Sequence, residues 1–366
     1  MGYLVLDRLT KRFRRETVLE DLSLTAEKGE TISVFGPSGA GKTVLLRLIA
    51  GVFDPDAGDI RLDGQSIVQQ PPESRDVGMA FQNFALYPHL DAFQNIASPL
   101  QAQGLPGDEV RRRVHAVAEL LKIDHVLTHL PKALSNGQKQ RTSLARSLVR
   151  VPKLLLLDDP LRNVDAKLRY EMRLELPRVL KQADVTVLYV TQDYKEAMAL
   201  GDRVAVLTGR GITQCDPPER IYAEPATAEV AKLFGDPTIN LLPVRAEANG
   251  AGASVEIAGT RFPLPDGSDV TGGRDCLIGI RPEHIRVDME QRPGALPAEL
   301  DAVTPLNVRS VMLLKTSEGG ELLASCSERE ADLLPRGHRA VWISIEASKL
   351  LVFDAESGAR LGGAAL

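Results

Sequence analysis

Gly36-Pro37-Ser38-Gly39-Ala40-Gly41-Lys42-Thr43 is the stretch on which the fold turns. Before it runs Thr31-Ile32-Ser33-Val34-Phe35, a short β-rich segment. After it, Leu45, Leu46, Leu48 and Ile49 fall at helical spacing, and Gly51 stops the helix. Strand, glycine loop and helix in that order predict a phosphate-binding loop. Gly36, Gly39 and Gly41 lack Cβ atoms, so backbone N–H groups can close on phosphate oxygens. Pro37, Ser38 and Ala40 complete the cradle. The following helix points its partly positive N-terminus at the same anion. Lys42 is expected to reach the β- and γ-phosphates, and the Thr43 hydroxyl to coordinate Mg²⁺.

Such a site needs a second carboxylate at the end of a neighbouring strand. Leu154-Leu155-Leu156-Leu157-Asp158-Asp159-Pro160 supplies it, with Asp158 holding Mg²⁺ through water. An apolar strand ending in Asp is common by itself; the pairing with the phosphate loop makes it specific. Thr186–Val190 and Arg203–Leu207 are further short apolar runs between helical segments, as buried parallel strands are. The region from about residue 90 to 150 reads as a helical subdomain, broken at Leu105-Pro106-Gly107. Near Gly235-Asp236-Pro237 the texture changes. Ala253–Ile257, Cys276–Ile280, Val311–Leu314 and Ala340–Ile345 are strand-like, with Gly, Pro and Asp turns between them. They predict a small β-sandwich or barrel. The expected domains are therefore 1–235 and 236–366, with the tail from Gly358 to Leu366 frayed.

Bulk properties narrow the classes. The chain has 366 residues, long enough for more than one domain, and a formal charge of −5. That acidic balance argues against a nucleic-acid partner. Cys215, Cys276 and Cys326 are odd in number and far apart, which argues against a disulfide framework or a zinc site. The N-terminus lacks the pattern of a signal peptide, and no run approaches ~18 apolar residues, so no spanning helix is expected.

Leu134-Ser135-Asn136-Gly137-Gln138 stands shortly before the Asp158 strand and resembles the signature sequence of ABC ATPases, usually Leu-Ser-Gly-Gly-Gln. Phe81-Gln82 resembles the family's Gln-containing loop, which links Mg²⁺ to a transmembrane partner. Asn163-Val164-Asp165 resembles the D-loop, and Thr191-Gln192-Asp193 occupies the switch-histidine position. Phe13 sits where an aromatic ring would stack on adenine. Order and spacing match over roughly residues 3–235. Beyond them, Ile221–Pro225 and Gly279-Ile280-Arg281-Pro282-Glu283-His284 resemble the regulatory domain of the sugar and polyol importer branch.

The resemblance implies an α/β P-loop NTPase core with a helical subdomain, and a C-terminal all-β, OB-like barrel. It implies ATP and Mg²⁺ as cofactors, with Thr43, Gln82 and Asp158 around the metal. It implies two ATPase domains paired head to tail, each ATP lying between one phosphate loop and the other chain's Ser135, Asn136, Gly137 and Gln138. Ser135 also starts a helix, so plain N-capping explains it equally. Further implied partners are two transmembrane permeases and, indirectly, an external substrate-binding protein, with the chain peripheral at the cytoplasmic face of the inner membrane. Asn83–Leu90 is either a locally packed loop or the groove that receives a permease coupling helix.

Three positions depart from the family pattern. Asp159 stands where a Glu normally polarises the attacking water, Gln192 where the switch histidine stands, and Asn136 where the signature has its first Gly. Displacing a general base by about an ångström can cost on the order of a hundredfold in rate. The changes at Asp159 and Gln192 predict a composite site that binds ATP and hydrolyses it slowly, in a heterodimer with a competent, non-identical ATPase. The alternatives are a homodimeric transport ATPase with full activity and a nucleotide-gated structural subunit. A soluble ABC-type ATPase of DNA repair or translation fits the acidic balance less well. The solute is expected to be a small carbohydrate or polyol, glycerol included.

Overall fold

The computed structural model describes residues 2–14, 16–249, 252–265, 268, 270, 273–306, 309–317, 319–332 and 339–362. The chain divides into two compact units, Met1–Glu219 and Arg220–Leu366.

The first unit is built on a six-stranded sheet in the order Gly211–Asp216, Arg203–Thr208, Thr31–Phe35, Thr186–Thr191, Leu154–Asp158, Val77–Ala80. All neighbours are parallel except the edge strand Gly211–Asp216, which pairs antiparallel with Arg203–Thr208. The central strands Thr31–Phe35, Thr186–Thr191 and Leu154–Asp158 are buried at every position because both faces are covered. Alternate side chains enter opposite layers. Leu154 and Leu156 pack with Leu45, Leu46 and Ile49 from the helix Lys42–Ile49. Leu155 and Leu157 pack on the other face, with Leu144 and Leu148 of the helix Asn136–Leu148.

The expected helical subdomain is present as Ala92–Ala102, Gly107–Leu120 and Asn136–Leu148, with the break at residues 103–106 and Gly107 opening the second helix. One sheet was not expected. Glu16–Ala26, Leu4–Phe13, Ala57–Leu62 and Gln65–Ser66 form a four-stranded antiparallel layer in that order. Its register shifts between Leu6 and Leu9, and again towards Lys11 and Arg12. These irregularities break the period-two alternation by which a strand is read.

The second unit holds two five-stranded antiparallel sheets. One runs Thr260–Pro263, Gly252–Ile257, Asn240–Asn249, Asp275–Ile280, Leu351–Asp354. The other runs Ile285–Asp288, Arg339–Ile345, Leu296–Leu306, Arg309–Thr316, Glu321–Ser327. All four strand-like runs beyond residue 236 lie in these sheets. The start of the tail is not frayed. The Ala228 N–H donates to the Gly358 carbonyl at 2.9 Å, and the Leu361 N–H to the Val352 carbonyl at 2.7 Å. Residues 363–366 lie outside the described part. Arg281 is 2% exposed; its guanidinium donates to the carbonyls of Tyr222, Ala231 and Phe234 and stacks 3.8 Å from the Tyr222 ring. It therefore fastens the helix Ala228–Leu233 and the preceding turn to the β-domain, a structural role.

The phosphate-loop helix is held at its far end by Arg75, which is 2% exposed. Its guanidinium donates to the Leu48 and Ile49 carbonyls at 2.8 and 3.0 Å, and to Val68 and Gln70 at 2.8 Å each. Those two helix carbonyls belong to the last turn, where the Leu48 carbonyl also accepts from the Gly51 N–H at 3.1 Å. Gly51 makes room: a Cβ there would lie 2.6 Å from Arg75 Nε. Arg75→Met removes four hydrogen bonds, two of them buried, and is expected to cost about 2–3 kcal/mol of stability. Urea unfolding checks this; an unchanged midpoint would show that the clamp contributes nothing.

Candidate nucleotide site

The sheet register assembles the site. Phe35 pairs with Thr191, and Asp158 with Val190. The ends of three adjacent parallel strands thus carry Gly36, Asp158 and Gln192 to one rim. Ligands bind in parallel α/β sheets at this carboxyl edge.

The loop departs from Phe35 where the backbone is crowded. A Cβ on Gly36 would lie 2.4 Å from the Leu207 carbonyl oxygen. Gly41, the N-cap of the helix Lys42–Ile49, sits at φ 97° and offers no side-chain cap. The helices beginning at Ala92, Asn136 and Ala166 are capped by Asp91, Ser135 and Asp165. The first amides of the phosphate-loop helix are thereby left for an anion. Lys42 is 6% exposed, and its Nζ donates to the Gly36 and Pro37 carbonyls at 2.7 Å each. Burial lowers its pKa, opposed by the charges of Asp159 and Asp158.

Thr43 Oγ1 donates to Asp158 Oδ1 at 3.1 Å, so two of the three expected metal residues stand together. Asp158 and Asp159 are each 7% exposed. Burial raises both carboxyls; the Thr43 hydrogen bond opposes this at Asp158, and the Arg162 guanidinium opposes it at Asp159. Asp159 sits at φ 45°, and its N–H donates to the Val190 carbonyl at 2.9 Å. Gln192 is exposed in the turn after the strand Thr186–Thr191. Phe13 is 37% exposed, with its ring edge-to-face against Phe53 at 5.4 Å.

Ser135 Oγ accepts from the Gln138 N–H at 3.2 Å, and Gln138 Oε1 accepts from the Ser135 N–H at 2.9 Å. That reciprocal cap realises the N-capping alternative. Ser135 and Asn136 are exposed, whereas Gly137 is buried; a Cβ there would meet Leu168 Cδ2 at 2.4 Å. The side chain added by Asn136 therefore enters no packed contact.

Comparison with known proteins follows this geometry. Residues 19–162 match the family described as ABC transporter, residues 235–285 the MalK OB fold domain, and residues 278–353 the TOBE domain. The sn-glycerol-3-phosphate import ATP-binding protein UgpC of Escherichia coli K12 is 37% identical over 363 residues, 99% of this chain and 100% of the relative. The protein of the same name from Chromohalobacter salexigens is 43% identical over 290 residues, 78% of this chain and 76% of the relative.

The chain belongs to the ABC transporter family.

Within it, the chain is an ATP-binding subunit of the importer branch that carries a C-terminal OB and TOBE domain. The OB-like β-domain is thereby accounted for. The ABC loops interlock: Asn163 Nδ2 of the D-loop donates to the Gln82 carbonyl at 3.1 Å and to Asn83 Oδ1 at 3.3 Å. Gln82 is half-buried, and its backbone carbonyl meets Asn163 of the D-loop.

Sequence reasoning missed two groups at this rim. Glu196 is 1% exposed; it accepts from the Tyr189 hydroxyl at 2.8 Å and Thr191 Oγ1 at 2.9 Å, which sets the turn bearing Gln192. Arg169 lies 3.9 Å from Glu196 and donates to the Arg162 and Val164 carbonyls of the D-loop at 3.2 and 3.1 Å. The Thr191-Gln192-Asp193-Tyr194-Lys195-Glu196 spacing, a carboxylate one helical turn past the strand, was the available signal. Lys42→Met removes the site's buried cation while nearly keeping its volume. ATP affinity should fall at least about tenfold, the scale of a lost charge-assisted phosphate contact. Titration with a fluorescent ATP analogue reads this, and unchanged affinity would contradict it.

Proposed function

We propose that two copies of this chain pair head to tail and that each composite site hydrolyses ATP to drive an importer. What carries the reading is the presence, on one chain, of a phosphate loop with an open helix N-terminus and a signature with an exposed Ser135. Each copy supplies what the other's site needs. Pairing with a non-identical, competent ATPase rests on the Asp159 and Gln192 substitutions alone, and the relatives' names point to no second ATPase.

In this reading the loop amides and Lys42 hold the β- and γ-phosphates, and Phe13 supports the adenine. Thr43 and Asp158, two oxygen donors 3.1 Å apart with Gln82 behind Asn163, suit a hard cation. Mg²⁺ held there would neutralise charge on the phosphates. Asp159 orients and polarises the attacking water. Its stem is one methylene shorter than Glu, but it stands in the rim beside Asp158, and Arg162 favours its ionised form. Gln192 donates a carboxamide hydrogen bond to the γ-phosphate in place of a histidine.

The transported solute is proposed to be a glycerol phosphate, because two relatives from different genera carry that solute in their names. The chain would sit peripherally on the cytoplasmic face of the membrane, against two permeases fed by an external binding protein. Among the described residues no helix is long and apolar enough to cross a membrane. Asn83–Leu90 would receive the permease's coupling helix; Tyr87 in it is 48% exposed, with Arg146 stacked 5.4 Å from its ring.

The test is the ATPase rate of the purified chain, alone and reconstituted with its permeases and binding protein. Measurable turnover without any second ATPase is expected, stimulated by sn-glycerol 3-phosphate after reconstitution. Asp159→Asn should slow it on the order of a hundredfold or more, as loss of a general base does. Turnover that appears only after a different ATPase chain is added would overturn the homodimer.

A further inference from the structure

Arg162 carries a positive charge to the mouth of the phosphate site, and the reading above gives its side chain no direct part in catalysis. The Asp159 carbonyl accepts from the Arg162 N–H at 3.3 Å, and the positive φ of Asp159 turns the chain back on itself. The side chain consequently returns over the carboxylate: Arg162 Nη1 lies 3.8 Å from Asp159 Oδ2. That separation is an ion pair without a hydrogen bond. The Arg162 side chain is still 51% exposed, so most of its donors face solvent. Its backbone is fixed, because its carbonyl accepts from Arg169 Nη2. A fixed stem with a loosely held head can change partners without moving the loop.

The surrounding charges say which partner. Arg162 acts electrostatically on both Asp159 and Lys42. Its 3.8 Å approach to Asp159 puts the guanidinium at the rim that also carries Asp158 and Lys42. The other groups at that rim are Asp158, Asp159, the buried Glu196 with Arg169 3.9 Å from it, and the uncharged Gln192. With the switch position neutral, the loop amides and Gln192 bring no side-chain charge to the terminal phosphate beside Lys42.

We propose that Arg162 is a γ-phosphate ligand of this chain's own site, exchanging its long ion pair with Asp159 for the γ-phosphate oxygens when ATP binds. Its planar fork of donors matches phosphate oxygens, and an arginine beside a transferring phosphoryl group stabilises the charge that spreads over it. The exchange also frees the Asp159 carboxylate to hold water. This inference rests on the reading of residues 36–43 as the phosphate site.

The experiment is equilibrium binding of ADP and of the non-hydrolysable β,γ-imido analogue of ATP, each with Mg²⁺, to the full-length chain. Wild type, Arg162→Ala and Arg162→Lys are compared. Arg162→Ala should weaken the triphosphate analogue by about tenfold or more, the scale of a lost charge-assisted hydrogen bond. ADP binding should not change, and Arg162→Lys should recover part of the loss. Equal weakening of both nucleotides, or of neither, would overturn the assignment and leave the phosphate-loop reading standing. Failure of the wild-type chain to bind either nucleotide would overturn both.

Discussion

The rest of the first unit depends on one constraint: a helix N-terminus without a side-chain cap, with a buried lysine beside it. Gly41 caps the helix Lys42–Ile49 with backbone alone, and Lys42 is held by the Gly36 and Pro37 carbonyls. A buried cation is costly unless its donors are satisfied. Here two carbonyls and two nearby carboxylates offset that cost, and they leave a positive pocket with open amides. The far end of the helix is closed by Arg75, so the element is pinned at one end and available at the other. The close approach of Gly36 to Leu207 places this helix against the sheet edge where the carboxylates emerge.

The same rim gathers the groups that respond to nucleotide. Glu196 fixes Thr191 beneath Gln192, Arg169 reaches from Glu196 towards the D-loop carbonyls, and Asn163 ties the D-loop to Gln82. These contacts form a continuous polar path from the switch position to the segment expected to face the permease. The path is buried at Glu196 and exposed at Asn163. Arg169 Nε has no hydrogen-bond partner, so the path has one loose joint. The two substituted positions, Asp159 and Gln192, lie at the start of this path.

Much of the architecture was legible because its causes are local. Thr31–Phe35 and Leu154–Asp158 are apolar runs buried on both faces, and each is followed by residues that can only be turns or ligands. The β-domain strands announced themselves by spacing between Gly, Pro and Asp turns. Site residues at strand ends followed from the phosphate-loop pattern and the family resemblance together. What escaped depends on geometry that sequence does not display. The antiparallel layer of Leu4–Phe13 and Glu16–Ala26 loses its alternation at bulges. Arg75 looks like an ordinary surface residue until its carbonyl partners are known, and Arg281 reads equally as a functional or a structural residue until its own are. Arg162 meets Asp159 only because Asp159 adopts a left-handed backbone.

The central claim is that one kind of chain completes both halves of each ATP site. Cross-linking between singly substituted copies tests it most directly. Ala40→Cys places a thiol in the phosphate loop, and Asn136→Cys places one on the exposed signature, each in a background with Cys215, Cys276 and Cys326 replaced by Ser. A head-to-tail pair predicts that mixing the two variants with Mg·ATP and an oxidant yields a disulfide-linked dimer that neither variant yields alone. A mixture that cross-links no more than its separate components would contradict the account.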